Sequence, residues 1–138
     1  MKKSILGACA LMFIIIVNPF ISCKKSDNPT CTAGPGNLEI VIFALHNGDT
    51  IRNAYLHLDT AWVKYGTTTS PGADMSLYDR YYVTEGGEDH IHLTNLSCGS
   101  YYIYRTAFDS STNTRYTGDL GISVTKTSGE VDTVIHVN

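Results

Sequence analysis

In Leu96-Ser97-Cys98-Gly99-Ser100-Tyr101-Tyr102-Ile103-Tyr104-Arg105-Thr106-Ala107-Phe108, the part from Ser100 to Phe108 is the richest β-forming run in the chain. Tyrosine, isoleucine and threonine suit a pleated, half-buried surface. In a strand successive side chains point to opposite faces. Tyr101, Ile103 and Ala107 then face a core, and Tyr102, Tyr104 and Phe108 face outward. Arg105 falls on the inner face and conflicts with the pattern. Its expected place is the open end of the fold, stem buried and head in water.

The same alternation recurs on both sides. Leu38 to His46 is a β-rich run, closed by the turn Asn47-Gly48-Asp49, whose Asn and Gly tolerate positive φ. Ile51 to Tyr65 holds one long strand or two. Ser70-Pro71-Gly72 opens a loop, and Ala73 to Asp79 has room for one helical turn. Arg80 to Thr84 is a short strand, closed by Gly86-Gly87. His90 to Thr94 alternates, with Ile91 and Leu93 on one face and His90 and His92 on the other. Asp109 to Thr114 is a polar turn. Tyr116 to Thr125 and Val131 to Val137 are separated by Ser128-Gly129, which reads as a hairpin signal. Val131, Thr133, Ile135 and Val137 share one face of the last strand. The expectation is an all-β, Greek-key β-sandwich of seven or eight strands over residues 37–138.

The amino terminus carries an address. Lys2 and Lys3 precede an apolar run, Ile5 to Val17, which Asn18-Pro19 breaks. This is the layout of a signal peptide, and the run is shorter than the ~20 residues that span a bilayer. Phe20-Ile21-Ser22-Cys23 then resembles a lipobox, with Phe20 where that pattern prefers Leu. The resemblance implies cleavage after residue 22, acylation of Cys23 and tethering to a membrane. Leu6-Gly7-Ala8-Cys9 fits the letters too, but too few residues precede it to form an apolar region. The following Lys24-Lys25-Ser26-Asp27 is similar to lipoproteins of Bacteroidota, which implies an outer-membrane place in the cell envelope. Residues 23–36, with Pro29, Gly34, Pro35 and Gly36, read as the lipidated Cys and a flexible tether.

Of the 10 Lys and Arg, Lys2 and Lys3 lie in the leader; the 8 that remain against 13 Asp and Glu leave residues 23–138 near −5. This acidic balance opposes a nucleic-acid partner, since phosphate binding needs a basic patch.

Leu96-x-x-Gly99-x-Tyr101 has the form of a tyrosine corner, in which the phenol hydroxyl bonds the backbone upstream. With Gly48-Asp49-Thr50-Ile51-Arg52-Asn53-Ala54-Tyr55-Leu56, it resembles the prealbumin-like (transthyretin-like) sandwiches, which include carboxypeptidase regulatory-like domains; an Ig-like sandwich is the alternative. Asp49 and Cys98 stand where those domains often carry Pro. The resemblance implies stalks, adaptors and binding modules, rarely catalysts.

Cys31 and Cys98 are an even pair once Cys9 and Cys23 are set aside. In an oxidising compartment they read as a disulfide, worth on the order of 4 kcal/mol; two separate thiols are the alternative. His90 and His92, two apart on a strand, offer both imidazoles to one ion, with His57 or His136 as a distant third ligand. Asp89 is expected to point the other way. The plainer reading is two polar residues on a solvent face, so no metal or cofactor is expected. The acidic turns Glu85–Asp89 and Asp109–Asn113 match no calcium-loop pattern. The outward Tyr102, Tyr104 and Phe108, with Trp62, form either a strand face covered by a loop or a binding surface.

No Gly-x-Ser-x-Gly elbow, His-Glu-x-x-His or phosphate loop is present, and no enzyme is expected. The expected function is a non-catalytic, membrane-tethered envelope module that binds or supports an envelope protein or glycan. A carbohydrate-binding accessory lipoprotein and a structural subunit of a surface fibre are the alternatives.

Overall fold

The computed structural model describes residues 31–52 and 56–138. The leader, the acylation site at Cys23, residues 24–30 of the expected tether and Asn53-Ala54-Tyr55 of the motif lie outside the described residues. Eight strands follow in order: β1 (Pro35–His46), β2 (Asp49–Thr50), β3 (Thr60–Tyr65), β4 (Arg80–Val83), β5 (His90–Leu96), β6 (Gly99–Asp109), β7 (Thr114–Val124) and β8 (Ser128–His136). Among the described residues one 3-10 turn, Met75–Leu77, lies within the expected helical segment Ala73 to Asp79. No helix among the described residues is long and apolar enough to cross a membrane.

The strands form two four-stranded sheets, an all-β sandwich. In the first, β1 pairs with β2 and β5 antiparallel and with β8 parallel. The second has the order β4-β3-β6-β7, all antiparallel. Leu38, Ile40, Ile42 and Ala44 of β1 meet Ala61 and Val63 of β3 and Tyr101, Ile103 and Ala107 of β6. Each apolar row belongs to one face of its strand, so stacking the sheets removes both rows from water.

Two sequence expectations are corrected. Ser128-Gly129 does not close a hairpin between β7 and β8. Thr125 to Thr127 carries the chain across to the other sheet, where Ser128 pairs with Asn37 and Gly129 with Leu38. Gly129 does adopt positive φ, at +80°. A turn residue bends the chain locally; it does not choose the partner strand. Ile135 and Val137, at about 1% exposure, complete the first sheet's inner face, which β5 and β1 alone leave open.

Arg105 does not reach water. It is fully buried, as is Asp59. Its Nη2 lies 3.3 Å from Asp59 Oδ2, and its Nη1 donates to the Ile42 carbonyl at 2.5 Å. Asp59 Oδ1 accepts from the Phe108 N–H at 2.8 Å. Burial pushes the Asp59 carboxyl up and the Arg105 guanidinium down, and each is partly restored by the other. The conflict in the alternation is thus a buried ion pair that ties β6 to the segment before β3 and to β1.

The corner forms as expected. Tyr101 Oη donates to the Ser97 carbonyl at 2.5 Å. Cys31 and Cys98 are disulfide-bonded. Ser97 also donates from N to the Gly34 carbonyl and from Oγ to that of Thr32. A β-carbon on Gly99 would sit 2.3 Å from Ala33 N, so only glycine admits this approach. The end of the expected tether is therefore built into the domain, and β1 begins at Pro35, two residues before the expected boundary.

Candidate functional site: the outer faces of the two sheets

The outer face of the second sheet carries the tyrosine-rich surface. Register places Tyr81 of β4 opposite Trp62 of β3, Trp62 opposite Tyr104 of β6, and Tyr104 opposite Asp119 of β7. Three aromatic residues are therefore neighbours in register across three strands, with a carboxylate at the end. The Trp62 and Tyr104 centroids are 5.8 Å apart. Tyr81 is 65% exposed, and Trp62 and Tyr104 are partly open.

Tyr102 and Phe108 differ from that row, although both project outward. Tyr102 is only 6% exposed. The loop between β3 and β4 covers it, bringing Tyr78 to 6.3 Å between ring centroids. Thr68 of this loop rests on Gly121, where a β-carbon would come within 2.1 Å of the Thr68 carbonyl oxygen. Asp74 caps the 3-10 turn through the Ser76 N–H, and Asp79 binds the Tyr65 N–H and Lys64. Phe108 lies under His57, stacked at 4.1 Å, with the Arg115 guanidinium 5.7 Å from its ring.

Between loop and sheet is a cleft of about 340 Å³, lined in part by Ser70, Met75, Tyr78, Tyr102, Tyr104 and Asp119. That is the small end of the range for ligand sites. Burial pushes the Tyr102 and Tyr78 phenols up, opposed in part by hydrogen bonding to Ser70. Both hydroxyls are neutral donors near pH 7. The cleft thus joins aromatic faces, neutral hydroxyls and one carboxylate, groups that stack on and hydrogen-bond a polar ring.

The outer face of the first sheet carries the histidines. His90 Nε2 and His92 Nε2 are 2.8 Å apart. His90 Nδ1 meets Asp89 Oδ1 at 2.8 Å, and His92 Nδ1 meets Glu39 Oε1 at 2.5 Å. Asp89 therefore turns toward His90, contrary to expectation: it precedes β5, where strand alternation does not yet apply. His57 stacks on Phe108 and His136 lies on β8, so neither joins the pair. Glu88 does, its carboxylate oxygen lying within 4.8 Å of a nitrogen of each histidine. The partners Glu39 and Glu88 escaped the sequence reading. Glu39 reaches His92 from β1, a neighbour that only the sheet order reveals.

The turn at Asp109 is self-contained: its carboxylate accepts from Ser111 N, Ser111 Oγ and Thr112 Oγ1 at 2.7 to 2.9 Å. These bonds hold its carboxyl below the usual range, the Ser111 hydroxyl first among them.

Compared with known proteins, the chain matches no family model, no curated protein and no solved structure.

Proposed function

We propose that this chain is a non-catalytic envelope lipoprotein, tethered to a membrane through Cys23, that binds a carbohydrate on the outer face of its second sheet. The observation that carries the binding reading is the register row Tyr81–Trp62–Tyr104, ending at Asp119. Sugar rings present flat C–H faces that stack on aromatic rings and hydroxyl edges that pair with a carboxylate. Three aromatic residues in one register row match a short run of sugar residues better than a single one. The covered Tyr102 and Tyr78 brace the cleft wall.

The address rests on the lipobox-like Phe20-Ile21-Ser22-Cys23. The Cys31–Cys98 disulfide supports it, because such bonds persist in oxidising compartments. Since Cys31 is bonded to the domain, the chain from residue 24 to 30 has a reach of only about 25 Å. The body would ride close to the lipid surface, with little freedom to scan.

A glycan array that includes bacterial envelope polysaccharides tests the reading. Binding is expected for the intact chain, with a loss of at least tenfold in Trp62→Ala and in Tyr104→Ala. No bound glycan, or equal binding by both variants, would remove the carbohydrate assignment. Mass spectrometry of the mature protein tests the tether: an N-terminus other than an acylated residue 23 would remove it.

A further inference from the structure

We propose that His90, His92 and Glu88 form a binding site for a divalent transition-metal ion, zinc by its ligand chemistry, on the outer face of β5. The site is separate from the aromatic row, which lies on the other sheet. The argument begins with proton placement. A carboxylate only accepts hydrogen bonds. His90 Nδ1 faces Asp89, and His92 Nδ1 faces Glu39, so both Nδ1 atoms carry the proton. In two neutral imidazoles both Nε2 atoms are then bare lone pairs, and they face each other at 2.8 Å. Two lone pairs at that distance repel unless an electrophile lies between them.

A metal ion fits that demand. Two imidazole nitrogens on one tetrahedral zinc stand about 3.3 Å apart, so the rings need to part by only about 0.5 Å. Carboxylates behind the Nδ1 atoms are the usual outer partners of metal-bound histidines, fixing ring orientation and raising basicity. Glu88 supplies the third ligand. Its Oε2 is buried and has no hydrogen-bond partner, although the carboxylate lies beside both imidazoles. An orphaned buried carboxylate oxygen is costly, and coordination would relieve it. The side chains are partly open, His90 at 24% and His92 at 39%, so an ion can enter and a water can take the fourth position. Two nitrogens with one oxygen favour zinc over calcium or magnesium, which take oxygen ligands.

Calorimetry with Zn²⁺ on the chelator-stripped full chain in mild detergent tests the site. One ion per chain is expected, without competition from a large excess of Ca²⁺. His92→Ala should weaken binding at least 100-fold, Glu88→Gln at least tenfold, and Glu39→Gln about 10- to 100-fold. His136→Ala should leave it unchanged. All four residues lie outside the core, and circular dichroism confirms that each variant folds. Nitrogen-15 spectra of the imidazoles give a second readout: zinc should move both Nε2 signals while both Nδ1 atoms keep their protons. No uptake of zinc, with a single proton shared between the Nε2 atoms, would overturn the proposal. So would undiminished binding in the His90→Ala/His92→Ala or the Glu88→Gln variant, or equal competition by Ca²⁺.

Discussion

The Arg105 guanidinium and the Asp59 carboxylate meet at 3.3 Å with no exposed surface on either side chain. Around them the sandwich is apolar, so neither charge has a water to turn to. Removing one partner leaves the other stranded, which costs about 3–5 kcal/mol. Asp59→Asn should therefore lower the stability to urea by that amount. The double variant Asp59→Asn/Arg105→Met keeps an amide oxygen for the Phe108 N–H and removes the stranded charge. It should regain at least half of the loss. A single variant that costs under about 1 kcal/mol would show that the pair does not hold the core together.

Removing the Cys31–Cys98 bond should cost about 4 kcal/mol, because the bond closes a separation of 67 residues in the unfolded chain. Melting with and without reductant measures this. The Cys31→Ser/Cys98→Ser variant should match the reduced protein and gain nothing further from oxidation. A reductant-insensitive melting temperature in the native sequence would contradict the constraint.

Tyr101→Phe keeps the ring in the core and deletes the hydroxyl that donates to the Ser97 carbonyl. A loss of about 1–2 kcal/mol in chemical denaturation is expected, since that carbonyl is left without its partner. An unchanged midpoint would mean that the corner hydroxyl is replaceable by water.

Gly121→Ala tests the loop that covers Tyr102. The added methyl would press on the Thr68 carbonyl, and the loop must lift to admit it. The expected cost is about 1–3 kcal/mol. The more telling readout is chemical nitration, which should reach Tyr102 in the variant and spare it in the native chain. Equal protection in both would show that Tyr102 is not covered through this contact.

Acid should weaken the clamp between β3 and the loop. Burial pushes the Asp79 carboxyl up, but the Tyr65 N–H at 2.7 Å and Lys64 at 3.0 Å outweigh it and hold the carboxyl below the ordinary 3.8. The folded chain thus binds this proton less readily than the unfolded one. The stability it contributes is complete above 3.8 and is lost as the pH falls through the lower folded value. Asp79 is partly solvated, so the effect is under about 1 kcal/mol. Asp79→Asn should flatten the melting temperature against pH below about 4 relative to the native chain; parallel curves would remove Asp79 from the acid limb.

Alternation made β1, β5, β6 and β8 legible, because the inward row of each is mostly apolar: complete in β1, interrupted by Arg105 in β6 and by Thr133 in β8. The corner was legible from Leu96, Gly99 and Tyr101, since its bond is four residues long. What escaped the sequence depends on partners far along the chain. Arg105 looked misplaced because its countercharge lies 46 residues earlier. Yet Asp59, just before β3, keeps the two-residue step of the buried Ala61 and Val63, and an acid in that step was the available signal. The Ser128-Gly129 bend was real, but its use depended on which sheet still lacked a strand. Tyr102 and Phe108 were correctly placed outward; their covers, a loop and His57, lie beyond any local pattern.

The last strand lies parallel to the first along its length, from Asn37 opposite Ser128 to Leu45 opposite His136. Until residues 128–136 are in place, β1 has a bare edge on that side, and the first sheet is unfinished. A polypeptide still emerging from a ribosome or threading a narrow pore is therefore kept from premature closure by its own topology. A chain without Ser128–His136 would leave an adhesive, half-built sheet rather than a slightly shorter domain.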